Sequence, residues 1–226
     1  MKIPLLKILK VLEKRRHSNK DNKIFPSYIF DSTVEFDNVS FKYSEKAKNR
    51  VLRDISLKID SGEMIGLIGG TGSGKSSLVN LIPRLYDATN GVIKVGGNDV
   101  RRYDLHTLRN AIGIVLQKNI LFSGTIASNL RFGNESASID EMKEACEIAG
   151  AMEFISVMKN GFDTVVEQGG TNFSGGQRQR LSIARTILKK PKIIIFDDST
   201  SAVDTKTDAK IRDGLKNKLK NTTKII

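Results

Sequence analysis

Residues 64–68 (Met-Ile-Gly-Leu-Ile) form a short apolar run that leads at once into Gly69-Gly70-Thr71-Gly72-Ser73-Gly74-Lys75-Ser76, and residues 77–82 (Ser-Leu-Val-Asn-Leu-Ile) continue at helical period. This is the spacing G-x-x-x-x-G-K-[ST] between a strand and a helix, and it restricts the chain to an α/β architecture. The residue types follow from the ligand they suit. Phosphate oxygens are met by several backbone N–H groups converging on one point, along a chain path that side chains would obstruct. The helix start adds its positive dipole end. Lys75 is expected to reach β- and γ-phosphate oxygens, and the Ser76 hydroxyl to ligate Mg²⁺, with Ser77 next to it in the same turn.

Such a site needs a second acidic element for the metal. Residues 192–198 (Lys-Ile-Ile-Ile-Phe-Asp-Asp) supply one, an apolar run that reads as a strand buried on both faces and ends in Asp197 and Asp198, with Pro191 punctuating the helix before it. Asp197 is the expected Mg²⁺ ligand, acting through the water shell. A third element, residues 172–181 (Asn-Phe-Ser-Gly-Gly-Gln-Arg-Gln-Arg-Leu), enters a helix through Ser174, Gly175, Gly176 and Gln177. It is another anion-facing helix start, with backbone donors and a capping hydroxyl. Two such starts on one chain suggest two chains sharing each nucleotide.

Charge separates the body of the chain from its ends. Of 226 residues, 37 are Lys or Arg and 25 Asp or Glu, a formal charge of +12 that by itself nominates a polyanionic partner. Residues 1–23 carry +6 and residues 206–226 carry +5, which leaves +1 on 24–205. The body is therefore nearly neutral, and no nucleic-acid partner is expected. One Cys excludes a disulfide framework and fits a reducing compartment.

Residues 1–17 read as a basic amphipathic helix, with Leu5, Ile8, Leu9 and Leu12 on one side and Lys7, Lys10 and Lys14 on another. Lysine interrupts the segment too often for a membrane span, and it lacks the apolar core and cleavage site of a secretory signal. A connecting helix from a longer chain is the preferred reading, and a helix lying on a membrane surface is the other. Residues 18–31 read as a linker. Residues 34–41 and 52–59 alternate apolar and polar side chains, which predicts an antiparallel strand pair.

The motifs occur in a fixed order: the Gly69–Ser76 loop, an isolated Gln117 after the apolar run 112–116, Ser174-Gly-Gly-Gln177, the Asp197-ended strand, and Ser201-Ala-Val-Asp204. In that order, from about residue 34 onward, the chain resembles an ATP-binding cassette (ABC) ATPase. The resemblance implies ATP and Mg²⁺ as cofactors and a second cassette packed head to tail, in which the Ser174–Gln177 element of one chain caps the γ-phosphate held by the other. It implies that Tyr43 stacks on adenine, that Gln117 senses metal and membrane domain, and that Asp204 lies in a loop at the dimer interface.

Residues 116–130 and 163–170 are similar to the exporter branch of that family, which implies transmembrane domains as partners and a place at the cytoplasmic face of the cell membrane. The exported cargo implied is drugs, lipids or peptides. Gln168 stands where such exporters carry Glu, and Asp198 stands where the family places the Glu that polarises the attacking water. Asp198 therefore resembles the degenerate half of heterodimeric exporters, with slow hydrolysis at this chain's own site. The switch His of the family would follow the strand begun at 222–226, so neither His17 nor His106 takes that role; both are expected at the surface. The chain reads as a fragment, incomplete at its C-terminus, with an exposed sheet edge where its last strand is missing.

The expected fold is an α/β P-loop NTPase (RecA-like) core with strands near 64–68, 112–116, 193–197 and 222–226. An antiparallel β subdomain covers 32–62 and 91–97, and a helical insertion covers about 118–172 with helices at 140–149 and 151–158. Residues 1–31 would be the tail of a missing membrane domain, and 32–226 the cassette. Two competing functions are a soluble cassette ATPase acting on nucleic acid and an ATP-binding fragment with no transport role.

Overall fold

The computed structural model describes residues 28, 29, 31–197 and 204–226. The basic segment 1–17, Asp198 and Ser201 lie outside the described residues. Val34–Phe41 (β1) and Leu52–Ile59 (β2) pair antiparallel, as their alternation predicts. Asn90–Val95 (β4) joins the other side of β1 and carries the two-residue strand Asn98–Asp99 (β5), giving the order β2-β1-β4-β5. The alternation of β1 is interrupted once. Asn38 sits at φ 49° and the register slips between Phe36 and Val39, so both face the core despite their odd spacing. Gly91 lies opposite at φ 82°, where an added Cβ would come within 2.4 Å of the carbonyl oxygens of Asp37 and Asn38. Only glycine fits against this bulge.

The second sheet is parallel, with Met64–Ile65 (β3), Thr223–Ile225 (β10), Ile193–Phe196 (β9) and Ile112–Val115 (β6) in that order. The central strand β9 is buried on both faces, which explains its unbroken apolar sequence. Ile193 and Ile195 enter a core shared with β1, β4 and the helix Lys75–Leu81 (α1). Ile194 and Phe196 enter a second core, against Gly175–Leu188 (α6) and the helical part. Each such side chain contributes roughly 1.5–3 kcal/mol by leaving water.

Two expectations are corrected here. The first concerns β3, which is regular only over Met64–Ile65. The N–H of Leu67 still donates to the Ile226 carbonyl at 2.6 Å, after which the chain leaves the sheet for the loop and Ile68 is fully exposed. The second concerns β10, which is paired on both sides between β3 and β9, so the C-terminal strand is interior and the edges are β3 and β6. Lys224 in β10 is buried and spends its ammonium on the carbonyls of Gly62 and Leu219, both at 3.0 Å.

The insertion is helical but opens and closes on a small sheet that the sequence did not suggest, Gly124–Thr125 (β7) against Val165–Val166 (β8). Between them lie Ile126–Arg131 (α3), Ile139–Ile148 (α4) and Met152–Ile155 (α5). The helix expected at 140–149 is α4, started by a reciprocal Ser138–Glu141 capping box. The one expected at 151–158 stops at Ile155, because Val157 has no core to enter and is 82% exposed. Leu105–Asn110 (α2) precedes β6 and carries His106 at the surface, as expected, and Thr205–Lys218 (α7) precedes β10.

Cys146 on α4 is fully buried, and desolvation pushes its thiol up to about 12. A thiolate is the reactive species. The native chain is therefore expected not to react with an aromatic disulfide reagent at pH 8, and to release one thiol equivalent on unfolding. Full reaction before unfolding would contradict this packing.

Candidate nucleotide site

The loop after β3 and the ends of β9 and β6 meet at the carboxyl edge of the parallel sheet, the edge at which open α/β sheets bind ligands. Gly74 is the residue that turns loop into helix. It sits at φ 94°, and an added Cβ would lie 3.0 Å from Leu52 Cδ2 and 3.3 Å from the Val51 carbonyl oxygen. The loop therefore packs directly against the start of β2, which orients α1. Gly69, Gly70, Thr71, Gly72 and Ser73 are all exposed, with Ser73 N–H donating to the Gly70 carbonyl at 3.2 Å.

Lys75 curls back over this loop, its ammonium donating to the carbonyls of Gly69 at 2.6 Å and Gly70 at 3.3 Å. One residue on, the Ser76 hydroxyl donates to Asp197 Oδ1 at 2.6 Å, although the two are 121 positions apart in sequence. Asp197 is delivered there by β9: its N–H makes the last ladder bond, to Val115 at 3.0 Å, and its carboxylate emerges beyond the sheet. A hydroxyl and a carboxylate oxygen at one point, under a lysine and a glycine loop, are the donor set of a hard cation that shares its ligands with phosphate. Among the described residues no group of three or more His, Cys, Asp or Glu converges, at this point or at any other. The residues present thus fit Mg²⁺ completed by water and phosphate oxygens, and not a soft-metal cage.

Gln117 lies two residues beyond β6 on the same edge and is exposed. Its loop is tied to α6, because the Asn119 side-chain amide donates to Gln179 Oε1. Tyr43 projects beside α1. Its hydroxyl is 2.8 Å from Ser77 Oγ, so the expected base-contacting ring and the phosphate-loop helix are in direct contact.

At the start of α6, Ser174 and Gln177 form a reciprocal capping box. Ser174 Oγ accepts from the Gln177 N–H at 3.2 Å, and Gln177 Oε1 accepts from the Ser174 N–H at 2.9 Å. The Gln177 side-chain oxygen is thus engaged by its own helix. The groups left to donate to a ligand are the exposed Gly175 N–H, the Ser174 hydroxyl proton and the Gln177 side-chain amide protons. Among the described residues no hydrogen bond joins this element to the Gly69–Ser76 loop. Asp204 caps α7, accepting from the Thr207 hydroxyl at 2.7 Å and its N–H at 3.0 Å, and these bonds hold its carboxyl below the usual range.

Sequence reasoning missed two features. Leu116, Ile120, Phe122 and Phe132 are all at least half exposed around a groove beside Gln117, with Phe122 and Phe132 at 4.9 Å between ring centroids. Tyr86 stands against Tyr43, at 5.1 Å between centroids. Neither was visible as a pattern, because each joins residues from separate segments.

The family profile described as ABC transporter matches residues 52–201, about two thirds of the chain. The chain belongs to the ABC transporter family. The cassette is 45% identical over 193 residues to a putative multidrug export ATP-binding/permease protein of Bacillus subtilis, covering 85% of this chain and 33% of that protein. It is 41% identical over 197 residues to an ATP-dependent lipid A-core flippase of Desulfotalea psychrophila, covering 87% and 34%. Among solved structures it matches an ATP-bound bacterial Atm1-family ABC exporter with a TM-score of 0.82 and 32% identity, over 97% of this chain and 39% of that one. The cassette thus spans about a third of the length of these relatives. Among the described residues, no helix is long and apolar enough to cross a membrane.

Proposed function

We propose that the cassette is the ATP-binding half of an exporter, holding Mg-ATP on its Gly69–Ser76 loop within a head-to-tail pair of cassettes at the cytoplasmic face of the membrane. The observation that carries this reading is the 2.6 Å contact between Ser76 and Asp197, made beside the lysine and loop that would take the phosphates. Mg²⁺, when bound, neutralises charge on the β- and γ-phosphates. Ser76 and Asp197 would hold it, with Gln117 reaching the same point from the end of β6. Gly69, Gly70, Thr71, Gly72, Ser73 and Gly74 supply the cradle, and Lys75 supplies a point charge. Ser77 lies at the first turn of α1, and Tyr43 provides the stacking surface for adenine.

Ser174, Gly175, Gly176 and Gln177 then face the γ-phosphate held by a partner cassette, with the Gln177 oxygen holding Ser174 in place and its amide protons left to donate. The apolar groove beside Gln117 is the surface we assign to the transmembrane domains, since Phe122, Phe132, Leu116 and Ile120 would otherwise stay in water. Of the cargo classes proposed, drugs, lipids and peptides, the relatives named for multidrug export and for lipid A-core flipping favour the first two. The partner cassette is inferred to differ from this one and to carry the Glu that Asp198 replaces.

A titration of the chain with ATP, with and without Mg²⁺, tests the site. Saturable binding that tightens with Mg²⁺ is expected. The reading fails if Mg²⁺ has no effect, or if DNA or RNA binds more tightly than ATP at about 150 mM salt.

A further inference from the structure

Tyr43 is restrained on three sides. The buried ring of Phe41 meets it edge-on at 4.8 Å and 76°, Tyr86 meets it edge-on at 5.1 Å and 88°, and its hydroxyl is 2.8 Å from Ser77 Oγ. Edge-to-face contact is the preferred geometry for such pairs. Phe41 is a core residue of β1 and would be present for packing alone. Tyr86 is different: it is 41% exposed and comes from the loop that follows α1.

That loop is held in an uncommon conformation. Arg84 sits at φ 54°, a region L side chains rarely adopt. It is kept there from both directions. Its own guanidinium bonds Asp87 Oδ1 at 2.7 Å, and Arg109 on α2 donates to the carbonyls of Pro83 at 3.1 Å and Arg84 at 3.0 Å. The Leu85 N–H is fixed by the Asn80 carbonyl of α1 at 3.1 Å. A loop pinned at this many points to present a partly exposed aromatic ring beside another one is a built feature, and strain of this kind points to function.

We propose that Tyr86 is a positioning residue for nucleotide binding: it fixes the plane of the Tyr43 ring so that a purine base meets a preformed face. The inference rests on the reading of Tyr43 as the base-stacking residue. It assigns Tyr86 no contact with the phosphates, so its effect must depend on the base.

The test measures affinities of the full chain for Mg-ATP and for Mg-tripolyphosphate, which shares the phosphates and lacks base and ribose. For Tyr86→Ala the ATP affinity is expected to fall about 3- to 10-fold, with tripolyphosphate affinity unchanged. Tyr86→Phe, which keeps the ring, should behave as the parent, and Tyr86→Leu, which keeps apolar bulk, should behave as Tyr86→Ala. Tyr43→Ala should shift the same ratio further. Equal loss of both ligands with Tyr86→Ala and Tyr86→Leu overturns the proposal, because a general disturbance of the loop would cause it. A ratio moved by Tyr43→Ala alone overturns the role of Tyr86 and leaves the stacking reading in place. A ratio moved by Tyr86→Ala alone overturns the positioning role, since Tyr86 would then touch the base itself. A ratio moved by neither overturns the stacking reading together with the inference.

Discussion

A Lys75→Ala chain is expected to bind Mg-ATP about 100-fold more weakly than the parent while keeping its thermal midpoint within a few degrees. The affinity term follows from charge-assisted hydrogen bonds to phosphate oxygens, about 1.5–3 kcal/mol each, with two such bonds within reach of one ammonium. The small stability term follows from where Lys75 points without nucleotide. Its two bonds, to Gly69 and Gly70, lie in an exposed loop whose carbonyls water can serve equally well. Calorimetric titration beside a thermal melt separates the two terms. An affinity within threefold of the parent would remove Lys75 from the site. Lys75→Arg is not expected to rescue, since a planar guanidinium replaces a compact ammonium in a loop closed by Gly74.

That expectation follows from residues 64–82 alone. Strand, glycine loop, Lys75 and Ser76 are contiguous, and their chemistry is carried by backbone, so local sequence contains the whole device. Asp197 was readable for another reason: a strand buried on both faces is a run of apolar residues, and a carboxylate at its end has to emerge at the sheet edge. The two cores were implicit in the same run, since Ile193 and Ile195 alternate with Ile194 and Phe196 across the sheet.

What sequence did not disclose is long-range or has no period. Two-residue strands such as Gly124–Thr125 show no alternation. The bulge at Asn38 breaks the period it would be read from. The length of β3 depends on how far β10 runs beside it, which no local pattern records. Tyr86 gains its meaning only when the loop after α1 is folded against β1. The Ser-x-x-Gln spacing at a helix start is that of a capping box, but how it divides the Gln177 side chain was not legible. The oxygen is bonded back to Ser174, while the amide protons stay available to a phosphate.

The second large effect concerns the residue after Asp197. Asp198→Glu is expected to raise ATP turnover at this chain's own site by roughly 100-fold, the lower end of what a positioned general base contributes. Asp and Glu carry the same charge, so the difference is reach. One methylene moves the carboxylate by about 1.5 Å, and a base must come within about 2.6–3.2 Å of the proton it takes, directly or through one water. Asp197 itself is fixed by its ladder bond to Val115 and by Ser76. The site with Asp198 is thus expected to hold ATP and turn it over slowly, while Ser174 of the same chain completes a faster site on a partner. Steady-state phosphate release from the chain at saturating Mg-ATP, compared among parent, Asp198→Glu and Asp198→Asn, measures this. Asp198→Asn should match the parent, because a carboxylate out of reach contributes nothing that an amide would remove. Rapid turnover by the parent, or a rate unchanged in Asp198→Glu, would instead make this a competent site whose base reaches the water from Asp198 as it stands.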